Sequence, residues 1–103
     1  MAKLKLQPEP TFKAKARIPV PGAAPEPVEF TFRWRDRDEL QAFIEASVGR
    51  PDAETLLEIA DGWDLSDPWE RASVEQLVRK FIGAPRAIFD AYVNELTGAR
   101  EKN

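Results

Sequence analysis

From Thr11 to Ile18 the chain alternates strictly, with Phe12, Ala14, Ala16 and Ile18 to one side and Lys13, Lys15 and Arg17 to the other. Period two over eight residues predicts a strand with one apolar and one wet face. A second alternation sets Val28, Phe30, Phe32 and Trp34 against Glu29, Thr31, Arg33 and Arg35. Between them Pro19, Pro21, Gly22, Pro25 and Pro27 forbid regular structure and make a stiff connection. Adjacent strands joined so briefly pair antiparallel. A two-stranded ribbon is marginal alone, so its apolar face must lie on something.

The rest of the chain supplies that cover as short amphipathic helices. Asp36 with Glu39 three residues on reads as a capping box, and Leu40, Phe43, Ile44 and Val48 form a helical stripe closed by Gly49. Pro51-Asp52 opens a second helix with Leu56, Leu57 and Ala60 at helical spacing and Gly62 as its stop. Residues 61–72 read as an acidic loop holding Trp63, Leu65 and Trp69. Ser73 with Gln76 reads as another capping box, followed by Val74, Leu77, Val78, Phe81 and Ile82 down a third helix that Gly83 breaks. Pro85 suits the first turn of a fourth helix, whose core face is Ile88, Phe89, Tyr92, Val93 and Leu96 and whose end is Gly98. Strands followed by helices, without alternation, predict an α+β fold: an N-terminal antiparallel β-hairpin packed on about four short α-helices. Residues 1–10, with Pro8 and Pro10 and no sustained period, are expected to form a flexible arm, residues 11–98 one domain, and residues 99–103 a frayed tail.

At 103 residues and 43% hydrophobic, the chain can bury one modest core. It has no cysteine, which excludes disulfides and thiolate zinc sites, and no histidine, which removes the usual proton shuttle at neutral pH. No apolar run approaches the roughly 18 residues of a membrane span, and none follows Lys3 and Lys5 as a secretory signal requires. A reducing, cytoplasmic setting is expected. Charge is bipolar. Residues 1–37 carry eight basic and four acidic side chains, a net of +4, and residues 38–103 carry seven and fourteen, a net of −7.

Reactive chemistry finds little support. Asp61, Asp64, Asp67 and Glu70 recur every three residues, yet an EF-hand needs oxygen ligands at positions 1, 3 and 5 of its loop. Counted from Asp61, positions 3 and 5 are Trp63 and Leu65; counted from Asp64, position 5 is Pro68. No metal or cofactor is expected. A Ser-His-Asp triad cannot be assembled, and each glycine stands at an element boundary rather than in a phosphate loop. An enzyme is not expected, and a carboxylate hydrolase is the weakest alternative. Binding is better served. Lys13, Lys15, Arg17, Arg33 and Arg35 are expected to project from the outer face of the hairpin, as a surface for nucleic acid or for an acidic protein. The strand aromatics alternate to the other face, so no stacking platform accompanies that charge. Trp34 and Trp63 sit in apolar patterns and are expected in the core. Trp69, among polar neighbours, suits either an interface anchor or a satellite of the core.

The run Gly62-Trp63-Asp64-Leu65, a helix ending in Phe81, then Ala84-Pro85-Arg86-Ala87-Ile88-Phe89-Asp90-Ala91-Tyr92 and Glu95-Leu96-Thr97-Gly98-Ala99-Arg100, resembles the tail assembly chaperones of long-tailed phages and prophages. Phe12-Lys13-Ala14-Lys15, Ile18-Pro19-Val20-Pro21-Gly22 and Val28-Glu29-Phe30-Thr31-Phe32 are similar too, so the likeness runs from about Lys3 to Asn103. The resemblance implies a non-enzymatic chaperone that coats the tape measure protein, keeps it soluble, recruits tail tube protein and leaves before the tail is finished. It also implies a short form and a frameshifted long form. Glu101-Lys102-Asn103 can be encoded GAA AAA AAC, a slippery run that an AAG codon at Lys102 would remove. The resemblance fixes no binding residues. The contact set expected from the residues themselves is Lys13, Lys15, Arg17, Arg33, Arg35 and Trp69, with self-association through the acidic loop of another copy open and a small nucleic-acid-binding regulator as the alternative.

Overall fold

A computed structural model describes residues 2–99 and orders them β1 (Thr11–Ile18), β2 (Glu26–Arg33), α1 (Arg37–Ser47), α2 (Asp52–Ile59), β3 (Ala60–Trp63), α3 (Arg71–Lys80) and α4 (Ala84–Thr97). The α+β architecture is as expected, with the hairpin widened into a three-stranded antiparallel sheet of order β1-β2-β3. β1 and β2 pair along their full length, from Thr11 opposite Arg33 to Ile18 opposite Glu26. Pro27 therefore lies inside β2. β3 runs only beside Phe30–Phe32, so the missing N–H of Pro27 leaves no bond unmade on that side.

Ala16 and Ile18 of β1, Val28, Phe30 and Phe32 of β2 and Ala60 of β3 point into one buried cluster. Leu40, Phe43, Ala53, Leu56, Ile59, Val74, Ala84, Ile88 and Tyr92 close it from the helical side. The period-two and helical stripes thus meet in a single apolar layer, and burial of that area is the dominant stabilising contribution. α4 lies over β1 and against α2, and α2 also touches α3.

Several local expectations are corrected. The acidic loop expected from Asp61 begins instead as β3, with Trp63 opposite Phe30, Gly62 opposite Thr31 and Ala60 opposite Phe32, a bulge intervening. α2 consequently stops at Ile59, where Ala60 turns extended, and not at Gly62. α3 starts at Arg71 after an extended Glu70, and no side chain caps it, so Ser73 and Gln76 form no box. Trp69, just ahead of that start, packs edge-on against Trp63. Ile82 falls between α3 and α4 and is 89% exposed, and Val48 follows α1 and is 82% exposed. Trp34 lies one residue past β2 and is 44% exposed, not core.

The capping box of α1 forms as expected: Asp36 Oδ1 accepts from the Glu39 N–H at 2.8 Å, and Glu39 Oε1 accepts from the Asp36 N–H at 2.9 Å. Gly49 closes the helix at φ +78°, a left-handed conformation that a side chain would strain. Leu4 and Leu6 of the N-terminal arm stand exposed. The expected frayed tail, apart from Ala99, lies outside the described residues.

Candidate functional site

The antiparallel register decides which charges gather. Side chains alternate across each strand, so Lys13, Lys15 and Arg17 share the outer sheet face with Glu29, Thr31 and Arg33 of β2. All four basic residues are exposed. Arg33 is engaged: its Nε lies 2.7 Å from Asp61 Oδ1, across the β2–β3 seam. With both side chains nearly half exposed, that pair adds at most about 1 kcal/mol, but it removes a free cation from the face. Lys13, Lys15 and Arg17 make no ion pair among the described residues. The positive potential of the outer face is therefore concentrated on β1.

The structure does not bring Arg35 to this surface. β2 ends at Arg33, and Arg35 turns into the protein, its guanidinium 4.1 Å from the Phe43 ring centroid. Its Nη1 donates to the Tyr92 hydroxyl at 2.9 Å, and that hydroxyl donates to the Arg33 carbonyl at 2.8 Å. A fully buried phenol with both hydrogen-bonding roles filled ties the end of β2 to α4. Burial pushes the Tyr92 pKa above its ordinary 10.0, and the hydrogen bond and charge of Arg35 partly oppose that. These contacts explain the position of Arg35 without any ligand.

Trp69 is also placed away from the basic face. It is half-buried, packed edge-on against Trp63 with ring centroids 4.9 Å apart and against Phe30 at 6.4 Å, on the inner side of the sheet. Of the six candidate contact residues, four share a surface, one braces the interior and one joins the aromatic core.

Two carboxylates of the expected acidic loop, those of Asp61 and Asp64, are engaged in structural contacts. Asp61 holds Arg33. Asp64 extends the sheet by one rung: its N–H donates to the Glu29 carbonyl at 3.0 Å, and its Oδ1 accepts from the Glu29 N–H at 3.0 Å. The Asp67 carbonyl accepts from Trp63 Nε1 at 2.8 Å. No group of three or more potential metal ligands occurs among the described residues. The sequence hint for Asp64 was its place one residue after an apolar pair flanking Asp61-Gly62, which is too short to show a period.

The helical side carries concave surfaces. A shallow groove of about 650 Å³ runs between Trp34, α1 and the end of α4, floored by Trp34, Leu40, Ile44 and Leu96 and rimmed by Arg37, Gln41 and Glu45. Sequence reasoning missed it because Trp34 and Ile44 were assigned to the core. A second, more polar cleft of about 360 Å³ lies between α2 and α4 and includes Arg50, Asp52 and Arg86. Both are open to solvent. Among the described residues no helix is long and apolar enough to cross a membrane.

The surface thus carries an exposed basic strand and, on the helical side, a shallow apolar groove. No curated protein and no solved structure matches the chain. A family model for the phage tail assembly chaperone does match, over residues 1–103. The match spans the whole chain, and the protein belongs to the phage tail assembly chaperone family.

Proposed function

We propose that this chain is a non-enzymatic chaperone that binds the tape measure protein of a phage or prophage tail, keeps it soluble in the bacterial cytoplasm and hands it to tail tube protein. The observation that carries this is the whole-length family match. The architecture is compatible with it. Asp61 and Asp64 are engaged at the β3 seam, and a cationic strand without ion pairs among the described residues favours rapid, releasable encounter with an acidic client over tight binding. The contact surface we propose is Lys13, Lys15 and Arg17 with Arg33 at its border. Arg35 supports the framework from inside, and Trp69 contributes through the core.

The test is co-expression with the long, helical protein encoded downstream of this gene, followed by fractionation and co-purification. Client recovered in the soluble fraction only when this chain is present supports the proposal. Client that remains insoluble, combined with salt-sensitive binding of the chain to duplex DNA, would replace it with a nucleic-acid function.

A further inference from the structure

We infer that the outer edge of β1 is a docking strand for an extended, acid-bearing segment of a protein partner, which adds to the sheet as a fourth strand. This deepens the proposed binding role by giving the mode of contact and the chemistry of the partner. β1 is the terminal strand of the sheet, and among the described residues no strand pairs with its far side. It runs regularly over eight residues, Thr11 to Ile18, with no proline and no shift in register against β2. At the spacing of an antiparallel strand this is an edge about 27 Å long whose outward N–H and C=O groups can pair with another chain. The opposite edge is a poor template: β3 has four residues and its pairing is bulged.

Charge selects the occupant. Lys13, Lys15 and Arg17 stand at alternate positions, exposed and without ion pairs among the described residues, whereas Arg33, Arg50, Arg71 and Arg86 are all paired. A second copy of β1 laid antiparallel would set its own three cations against these on the same face, and like charges opposite one another repel. The same feature that protects the edge from self-pairing favours a strand bearing carboxylates at every second position. The other face of such a strand meets Phe12 and Ala14, which are only half-buried beneath the sheet. The fitting segment therefore alternates acidic with small or β-branched apolar residues, a pattern recognised by main-chain bonds for affinity and by side chains for selectivity.

The direct probe is a blocked synthetic octapeptide alternating glutamate and valine, titrated into the full chain. Its companions are the same peptide with lysine for glutamate and a version N-methylated along one edge. The glutamate peptide is expected to bind on the order of tenfold or more tighter than the lysine peptide, and to slow amide hydrogen exchange within residues 11–18. N-methylation should abolish binding. In the Lys13→Glu/Lys15→Glu/Arg17→Glu variant, verified as folded by circular dichroism, the preference should invert toward the lysine peptide. Equal binding of both peptides, no binding, unchanged exchange in β1, or an uninverted preference would overturn the inference. Client solubilised in co-expression while the peptide is ignored would sink the edge-docking mode and leave the chaperone proposal standing; the reverse result would do the opposite.

Discussion

Tyr92 shows how one residue couples three elements. Its hydroxyl donates to the Arg33 carbonyl and accepts from Arg35, whose guanidinium rests on Phe43 of α1. Tyr92→Phe keeps the ring that stacks on Phe12 and lies tilted against Phe32 but strips the Arg33 carbonyl and the Arg35 guanidinium of their partner. The expected loss is about 1–3 kcal/mol of unfolding free energy in urea titration. The same phenol gives a pH prediction. Its folded pKa is raised above 10.0, so above that pH the unfolded chain loses the proton first. The stabilising contribution is thus complete below pH 10 and is lost as pH rises through the folded pKa. Chemical denaturation from pH 8 upward should show a falling alkaline limb that is shallower in Tyr92→Phe. Alternation in the sequence could not foresee this arrangement. Arg35 continues the polar series of β2 without interruption, and only distant partners, Phe43 and Tyr92, decide that the strand has already ended.

Elements with local signals were legible, and those defined by distant pairing were not. The hairpin is written in two alternating runs around prolines, and α1 in the spacing of Asp36 and Glu39. Asp36→Ala should cost about 1 kcal/mol, measured by thermal or urea unfolding, because it removes one side of a formed capping box. β3 had no such signature. Four residues cannot display a period, and Asp61-Gly62 resembles a helix stop; the strand exists because Ala60 and Trp63 find Phe32 and Phe30 across the seam. Asp64 then finishes that seam with its side chain. Asp64→Ala should accelerate hydrogen exchange at the Glu29 amide while leaving the β1–β2 amides protected, a contrast that amide-resolved exchange measures directly. Ile44 and Val48 of the α1 stripe are exposed for a related reason. A helical stripe identifies a face, but the neighbouring element decides how far along the stripe burial extends, and burial fades from Leu40 and Phe43 to Ile44 and Val48.

At the scale of the molecule the charge is divided between a basic sheet edge and a more acidic remainder, while the apolar layer between sheet and helices carries the stability. The candidate site was half legible. Lys13, Lys15, Arg17 and Arg33 share the surface that alternation assigned them, but the fold withdraws Arg35 and Trp69 into packing roles. Separation of binding charge from folding core allows one to be changed without the other. The Lys13→Glu/Lys15→Glu/Arg17→Glu variant changes exposed side chains only, and its unfolding free energy should stay within about 1 kcal/mol of wild type. The deciding measurement is the soluble fraction of the tape measure protein co-expressed with wild type or with this folded variant. Soluble client with wild type and aggregated client with the variant is the expected result. Client that aggregates with both, or dissolves equally with both, would contradict a chaperone acting through its basic strand.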